Sequence, residues 1–227
     1  MQTLDVIAHI RTDFSSKFGI PRQSGLVDAL KGDIVFTEKY RDASALRGIE
    51  GYSHLWLIWQ FSESVTERFS PTVKPPRLGG NRRMGVFATR SPFRPNPLGL
   101  SCVRLEGLER STPDGPVLHV AGADLLNGTP IYDIKPYLPY VDSHPEATGG
   151  FTETIDYARL SVDFPDALLS RIPGDKREAL IEVLAQDPRP GYRHEGDERR
   201  YGIEFAGYDV RFLVEGDALK VVEVVEL

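Results

Sequence analysis

The segment at residues 91–99 has the residue types needed to hold an amine for chemistry. It reads S-P-F-R-P-N-P-L-G, and its three prolines fix backbone φ angles and remove N–H donors. Rigid carbonyl acceptors remain, and Asn96 followed by Pro97 can place a side-chain oxygen and a carbonyl at one point. Such a point accepts both hydrogens of an exocyclic amine such as adenine N6, which favours the pyramidal nitrogen found along an alkylation path. Asn96 and Pro97 are therefore candidate catalytic groups that position N6, with a plain rigid loop between strands as the alternative.

Basic residues surround this segment. Residues 68–105 contain eight Lys and Arg and no Asp or Glu, although the whole chain has a net charge of −6. A positive segment on an acidic protein predicts one local site for an anionic partner. Gly79 and Gly80 would permit close backbone approach to phosphates, and a solvated surface loop is the alternative. The candidate RNA-binding side chains of this segment are Arg77, Arg82, Arg83 and Arg94.

A second group of candidate RNA contacts lies near the C-terminus. The run at 187–194 reads D-P-R-P-G-Y-R-H. Arg189, Tyr192 and Arg193 offer cations for phosphates and an aromatic ring for stacking. The alternative is a helix stop followed by a surface loop.

The first 140 or so residues predict short strands that position these loops. Turn-forming Gly, Pro, Asn and Asp separate the apolar runs, as in an all-β barrel or sandwich. The run S-H-L-W-L-I-W-Q-F predicts a central strand that is covered on both faces and buries Trp56, Trp59 and the adjacent Tyr52. The predicted strands are Leu4–Ile10, Asp33–Phe36, Ser53–Phe61, Met84–Ala88, Leu100–Leu108, Val117–Ala123 and Ile131–Ile134.

The pattern changes after a loop-like seam at 143–152. A helix is predicted over Asp175–Gln186, with Asp175 as its N-cap and Leu180, Val183 and Leu184 on one apolar face. Strands are predicted over Tyr201–Val214 and Ala218–Val224. We therefore expect a mainly β domain at residues 1–142 and a small α+β appendage at residues 150–227.

Several classes of site are missing from the sequence. It has no G-x-G-x-x-G and no G-x-x-x-x-G-K-[ST], so the usual nucleotide-binding loops are not expected. Five dispersed histidines and one cysteine predict no metal site and exclude an internal disulfide. No apolar run reaches the length of a membrane-spanning helix. We expect a cytoplasmic protein with no membrane partner.

Taken together, the loops resemble one family. The motifs include P-R-Q-S-G-L-V, G-I-E-G-Y-S-H-L-W-L-I-W-Q-F, K-P-P-R-L-G-G-N-R-R-M-G-V-F-A-T-R-S-P-F-R-P-N-P-L-G-L-S, N-G-T-P-I-Y-D-I-K-P-Y-L-P-Y and D-P-R-P-G-Y. They are similar to those of the TrmO family, also called TsaA-like or YaeB-like, from about Ile7 to Tyr208. One departure is Asn127, where D-G-T-P is expected; it leaves Asp124 as the candidate acid.

This resemblance implies a fold, an activity and a set of cofactor contacts. The implied fold is a single-sheeted β-barrel, and the implied enzyme is a homodimeric, S-adenosylmethionine-dependent tRNA N6-methyltransferase. Its implied substrate is the threonylcarbamoylated adenosine 3′ of the anticodon in threonine tRNA. The implied cofactor contacts are Pro21, Arg22, Gln23, Ser62, Glu63, Arg90, Leu100, Ala121, Gly122, Ala123 and Asp124.

Two other functions stay open at the level of sequence. One is a non-catalytic RNA-binding barrel, although such barrels usually carry exposed aromatic residues interleaved with basic ones. The other is a methyltransferase that uses the same cofactor on a small-molecule amine. Cofactor binding separates the enzyme from the RNA-binding module, and a requirement for RNA separates the two enzymes.

Overall fold

The computed structural model describes residues 3–64, 68–78, 82–155, 157, 159–189 and 199–227, and the side chain of Arg77 lies outside this described part. Within it the chain forms twelve β-strands and three α-helices. The strands are β1 Ala8–Thr12, β2 Lys31–Phe36, β3 His54–Gln60, β4 Thr72–Val73, β5 Met84–Gly85, β6 Leu98–Thr112, β7 Gly115–Ala121, β8 Pro130–Pro136, β9 Ser161–Asp163, β10 Tyr201–Phe205, β11 Tyr208–Glu215 and β12 Ala218–Glu226. The helices are α1 Pro139–Asp142, α2 Asp166–Leu169 and α3 Arg177–Ala185.

Six strands close into one antiparallel barrel. Their order is β1-β2-β7-β6-β3-β8, and β8 pairs back to β1. Successive side chains of a strand point to opposite faces, so alternate residues fill the interior. In β3, Leu55, Leu57 and Trp59 are buried while the residues between them are half-buried. The predicted mainly β barrel is confirmed, but the expectation that this strand is fully covered on both faces is wrong.

The predicted strands of the barrel region differ in their bounds from the observed ones. The first begins at Ala8, four residues after the predicted Leu4, and β6 runs over Leu98–Thr112 where Leu100–Leu108 was predicted. The predicted strand Met84–Ala88 is only the two-residue β5, because Val86–Ala88 turns into a 3-10 helix. This early turn takes the chain away from the β4–β5 ladder and toward the segment at 91–99.

The C-terminal unit also differs locally from its prediction. The single strand predicted over Tyr201–Val214 is two strands, because Ala206 and Gly207 have φ values of 50° and 84°. Positive φ at both central residues is typical of a tight hairpin turn. Asp175 is not the N-cap of α3, which begins at Arg177 after a 3-10 turn at Gly174–Lys176.

The C-terminal sheet shares its hydrophobic core with the β1–β2 connection. The sheet has the order β10-β11-β12-β9, with β9 parallel to β12, and α3 packs its buried face into the same core. Phe14, Val27 and Leu30 belong to that core although they precede β2. Lys176 adds an ion pair across the same boundary, with its Nζ 2.7 Å from Asp13 Oδ2. The connection that carries Pro21, Arg22 and Gln23 is therefore anchored by the C-terminal unit.

Candidate functional site

A hydrogen-bonded chain of three side chains lies inside the barrel wall. Trp59 Nε1 donates to Ser101 Oγ at 2.9 Å, and Ser101 Oγ donates to Asp124 Oδ1 at 2.6 Å. Ser101 is only 1% exposed. Antiparallel pairing of Trp59 with Gly99 places β3 and β6 side by side at this point. A Cβ on Gly99 would lie 2.2 Å from Trp59 Cε2, so glycine is the residue that lets the indole ring reach Ser101.

Asp124 sits where opposing effects act on one carboxyl group. Burial raises its pKa above the usual range, since the charged form loses solvation. Hydrogen bonds from Ser101 and from the backbone of Ser24, and the charge of Arg90, each act to lower it. The net pKa is raised. A partly buried carboxyl with donors fixed around it is a site suited to a cationic or hydroxyl-bearing ligand.

The first predicted loop is held against the turn after β7, against β6 and against Arg90 by several hydrogen bonds. Gly25 N–H donates to the carbonyl of Gly122 at 2.9 Å, and Cys102 N–H donates to Ser24 Oγ at 3.1 Å. Gly122 has a φ of 75°, and a Cβ there would lie 3.3 Å from the Gly25 backbone, so this close approach favours glycine. Arg90 Nη1 donates to Gln23 Oε1. The structure thus brings together three of the sequence-predicted groups: the first loop, Arg90 and the turn after β7.

The other predicted cofactor contacts lie at the end of β3 and along β6. Lys17 Nζ donates to the carbonyl of Glu63 at 2.9 Å and lies 3.3 Å from Glu63 Oε2. Ser62 is exposed next to it. Leu100 is 54% exposed, on the opposite face of β6 from Ser101. Leu100 therefore offers an apolar surface on the outer face of the barrel, whereas Ser101 and its partners lie on the inner face.

The backbone carbonyls of Asn96 and Pro97 are already engaged. Pro97 O accepts from Phe61 N–H at 2.8 Å, and Asn96 O accepts from Leu98 N–H at 2.7 Å. These bonds weigh against Pro97 as the acceptor for N6 and give it a part in fastening the loop to β3. The Asn96 side chain is exposed, and its role in positioning N6 stays a prediction.

Two family models cover both units of the chain. The model for the tRNA-methyltransferase O N-terminal domain matches residues 9–143, and the model for the TrmO C-terminal domain matches residues 157–227. The chain belongs to the TrmO family. This membership confirms the resemblance seen in the motifs and the prediction that the chain is an enzyme.

Relatives and solved structures of the TrmO family agree over nearly the full length. The chain is 42% identical over 216 residues to the tRNA (adenine(37)-N6)-methyltransferase of Escherichia coli (strain K12), covering 92% of this chain and 91% of that protein. It is 39% identical over 212 residues to a putative S-adenosylmethionine-dependent methyltransferase of Pseudomonas aeruginosa, covering 91% and 90%. The crystal structure of TrmO from P. aeruginosa has a TM-score of 0.80 at 33% identity, covering 100% of this chain and 98% of that one.

Asn127, which stands where the motif D-G-T-P was expected, links two segments of the chain. Asn127 Oδ1 accepts from Thr12 N–H at 3.1 Å, and Asn127 N–H donates to Phe14 O at 2.9 Å. An aspartate accepts the same bond from Thr12, so the amide preserves the link between the end of β1 and this turn.

The predicted tRNA contacts of this TrmO-family chain differ in exposure where their side chains are described. Arg82 and Arg83 are exposed, with Arg83 Nε donating to Thr72 Oγ1 at 2.7 Å. Arg94 is half-buried and donates to Thr89 O at 2.8 Å, which braces its own loop. Arg189 is buried and paired with Asp187, Nε to Oδ1 at 2.8 Å. The side chains of Arg77, Tyr192 and Arg193 lie outside the described residues.

Arg189 has a geometry that favours positioning over direct contact with RNA. Its guanidinium is turned into the protein toward Asp187, whose φ of 54° is uncommon for a residue other than glycine. Its carbonyl oxygen accepts from Arg22 Nη2 at 3.5 Å, at the edge of hydrogen-bonding distance. The described part of this motif, residues 187–189, thus approaches the loop that carries Arg22.

Sequence reasoning missed Ser101 and Ser24 as members of the site. Ser101 occupies the inward position of β6 between Gly99 and Val103, both of which are buried. A serine on the core face of a strand requires a buried partner, and that polar break in the alternation was the available signal.

Among the described residues, no group of three His, Cys, Asp or Glu side chains is arranged to hold a metal ion. The helices of the described part are all too short or too polar to span a membrane.

Proposed function

We propose that this chain is an S-adenosylmethionine-dependent methyltransferase that methylates N6 of threonylcarbamoylated adenosine beside the anticodon of threonine tRNA. The observation that carries the proposal is the Trp59–Ser101–Asp124 chain, joined to the first loop in a member of the TrmO family. The naming of a 42% identical relative as an adenine-N6 tRNA methyltransferase supports the reaction.

The residues around Asp124 fit the proposed cofactor. Its sulfonium and amino groups are cationic, and an ionised Asp124 or Glu63 favours a cation nearby. Leu100, which is 54% exposed on the outer face of β6, is the apolar surface available to an adenine ring, since Ala123 is only 2% exposed. When bound, this cofactor supplies an electrophilic methyl group. Gln23, held by Arg90, lies in the same set of contacts and is placed to orient a ligand.

Catalysis in this proposal relies on alignment. Displacement at a methyl carbon needs the attacking nitrogen in line with the leaving sulfur, and orientation alone can lower the barrier substantially. Asn96 is the candidate that orients N6 by accepting its hydrogens. We expect Asn96→Ala to lower kcat far more than it lowers cofactor affinity, measured by methyl transfer and by calorimetry on one preparation. An unchanged kcat removes Asn96 from the reaction.

The assembly and the division into units are also part of the proposal. We propose a homodimer in the cytoplasm, with residues 1–142 as the catalytic barrel and residues 150–227 as a second domain that supports tRNA binding. The exposed apolar side chains Leu98 and Tyr140, 36% and 83% exposed, are surface that a second copy would cover. Light scattering on the purified chain measures the assembly directly.

The experiment that tests the function is transfer of labelled methyl from S-adenosylmethionine to total tRNA from cells that lack this protein. Nucleoside mapping then identifies the product. Label in N6-methylated threonylcarbamoyladenosine supports cofactor, reaction and substrate together. Cofactor binding without label in any tRNA points to a small-molecule amine as the acceptor. RNA binding with neither label nor cofactor binding points to a non-catalytic RNA-binding barrel.

A further inference from the structure

Two exposed phenylalanine rings flank the β4–β5 hairpin. Phe69 is 59% exposed and Phe87 is 75% exposed. Their ring centroids are 6.5 Å apart and their planes are inclined by 27°. The hairpin holds them together, since Val86 N–H donates to Pro71 O at 3.0 Å just beyond the ladder. Adjacent large apolar side chains at such exposure mark an interaction surface.

The surface around these rings is positively charged. Lys74, Arg82 and Arg83 are exposed on the same hairpin and its connection, and residues 68–105 contain no Asp or Glu. Arg83 is held at the hairpin by its hydrogen bond to Thr72. Exposed aromatic faces next to cations match the needs of single-stranded nucleic acid, which presents unstacked bases and phosphates together.

A second copy of this chain fits the same surface poorly. A two-fold interface places the same patch of both subunits in contact. Centred here, it would bring Lys74, Arg82 and Arg83 against their own counterparts, and like charges repel. The charge of this surface therefore favours RNA over self-association.

We propose that Phe69 and Phe87 form a stacking platform for unpaired bases of RNA, with Lys74, Arg82 and Arg83 beside the phosphates. Exposed aromatic residues of the kind expected in an RNA-binding barrel are thus present on this hairpin. The sequence pattern points only to the aromatic residues in and next to β3, which it predicts to be buried. This inference rests on the proposed tRNA substrate and adds the side chains that hold its unpaired bases.

The test compares Phe87→Ala, Phe87→Leu and Phe87→Trp in the full chain. The probes are a threonine-tRNA anticodon stem-loop and a fully paired, blunt-ended RNA duplex with the same number of nucleotides, with binding followed by fluorescence anisotropy at several salt concentrations. We expect Phe87→Ala and Phe87→Leu each to weaken stem-loop binding roughly tenfold, because base–aromatic stacking is lost. Phe87→Trp should bind like the unaltered chain. Tyr52→Ala, which removes an exposed aromatic ring just before β3 and outside the basic segment, is the matched control.

The salt dependence separates the rings from the charges. Removal of a ring leaves phosphate contacts in place, so the slope of log affinity against log salt should not change in the Phe87 variants. Arg83→Gln should reduce that slope. Binding of the blunt duplex should be insensitive to Phe87→Ala, because its bases stay stacked on one another.

Three results would overturn the platform. Stem-loop binding by Phe87→Leu or Phe87→Ala as tight as that of the unaltered chain would show that the ring does not contribute to affinity. Equal losses for the stem-loop and the blunt duplex would show that unpaired bases are not what the ring contacts. A change of oligomeric state in Phe87→Ala, measured by light scattering, would identify a second copy as the occupant. Failure of the unaltered chain to bind either RNA refutes the proposed tRNA substrate itself, which distinguishes that failure from a failure of the platform.

Discussion

Substitution of Ser101 by alanine tests whether the buried hydrogen-bonded chain prepares Asp124 for its ligand. The Ser101 hydroxyl both donates to Asp124 Oδ1 and accepts from Trp59 Nε1. In the described part, every buried side-chain nitrogen and oxygen has a hydrogen-bond partner. Alanine would therefore create an unpaired indole N–H and remove a donor from the carboxylate in one step.

The expected magnitudes follow from these two losses. A buried donor without a partner costs about 1–3 kcal/mol, so the free energy of unfolding should fall by that amount. Loss of the Ser101 donor removes one of the effects that lower the pKa of Asp124, so its pKa should rise further above the usual range. A larger fraction of the variant is then uncharged at any given acidic pH. Affinity for a cationic cofactor should fall roughly tenfold, with the larger loss at lower pH.

The assay is calorimetric binding of S-adenosylmethionine across mildly acidic to mildly alkaline pH. The pH at which binding is half lost should move upward in Ser101→Ala. Trp59→Phe is the matched control, because it keeps the aromatic packing and leaves the Ser101 donor to Asp124 in place. That variant should lose stability with little change in the pH profile.

A purely structural role for Ser101 makes a different prediction. Both variants would then lose stability and a similar share of affinity, with the pH profile of cofactor binding unmoved. That outcome, or full cofactor affinity in Ser101→Ala, would refute the assignment of Ser101 as a positioning residue for Asp124.

Further predictions concern the same site and its support. Asp124→Asn should raise stability at neutral pH while weakening cofactor binding. Because the pKa of Asp124 is raised in the folded chain, the native carboxyl binds protons more readily than the unfolded one, and its contribution to the free energy of unfolding falls as pH rises through that pKa. Denaturation measured against pH checks the sign. Gly99→Ala should lower the melting temperature, because its Cβ would overlap the ring of Trp59, and near-ultraviolet dichroism should report the displaced indole. Arg189→Met should destabilise the chain by about 1–3 kcal/mol, measured by urea denaturation, because it removes the charge-assisted hydrogen bonds from Arg189 to the buried carboxylate of Asp187. Arg189→Met with Asp187→Asn should recover part of the loss, since asparagine removes the buried charge and tolerates the positive φ at this position.

The sequence allowed most barrel strands to be predicted, because the patterns that mark a strand involve residues close together along the chain. Turn residues and apolar alternation located most barrel strands, since both depend on neighbouring positions along the chain. The strand β9 was missed because its three residues are stabilised by parallel pairing with β12, more than fifty residues later. The break at Ala206 and Gly207 was missed because alanine rarely adopts a positive φ, so only the glycine indicated a turn.

The candidate site was predicted residue by residue only where a motif marked it. Gln23, Arg90 and Asp124 came from the family resemblance, and the structure brings them into one set of contacts. The partners that hold Asp124 depend on strand register, which pairs Trp59 with Gly99 and so places the indole beside Ser101. Register arises from closure of the whole barrel, and no short stretch of sequence encodes it.

The opposing effects on the pKa of Asp124 suggest what a carboxyl group can do among the apolar residues of the barrel. Burial opposes its charge, whereas the donors from Ser101 and Ser24 and the nearby cation of Arg90 support it. Because burial is the larger effect and raises the pKa, the ionised carboxylate is stabilised strongly when a positively charged ligand arrives and replaces the solvation lost on burial. By linkage, a cationic ligand binds more tightly as Asp124 loses its proton, and a neutral product gains less from the same group. For the proposed S-adenosylmethionine, such a site would attract the sulfonium cation and bind the thioether product, which lacks that charge, less tightly, and this differential binding would support repeated turnover.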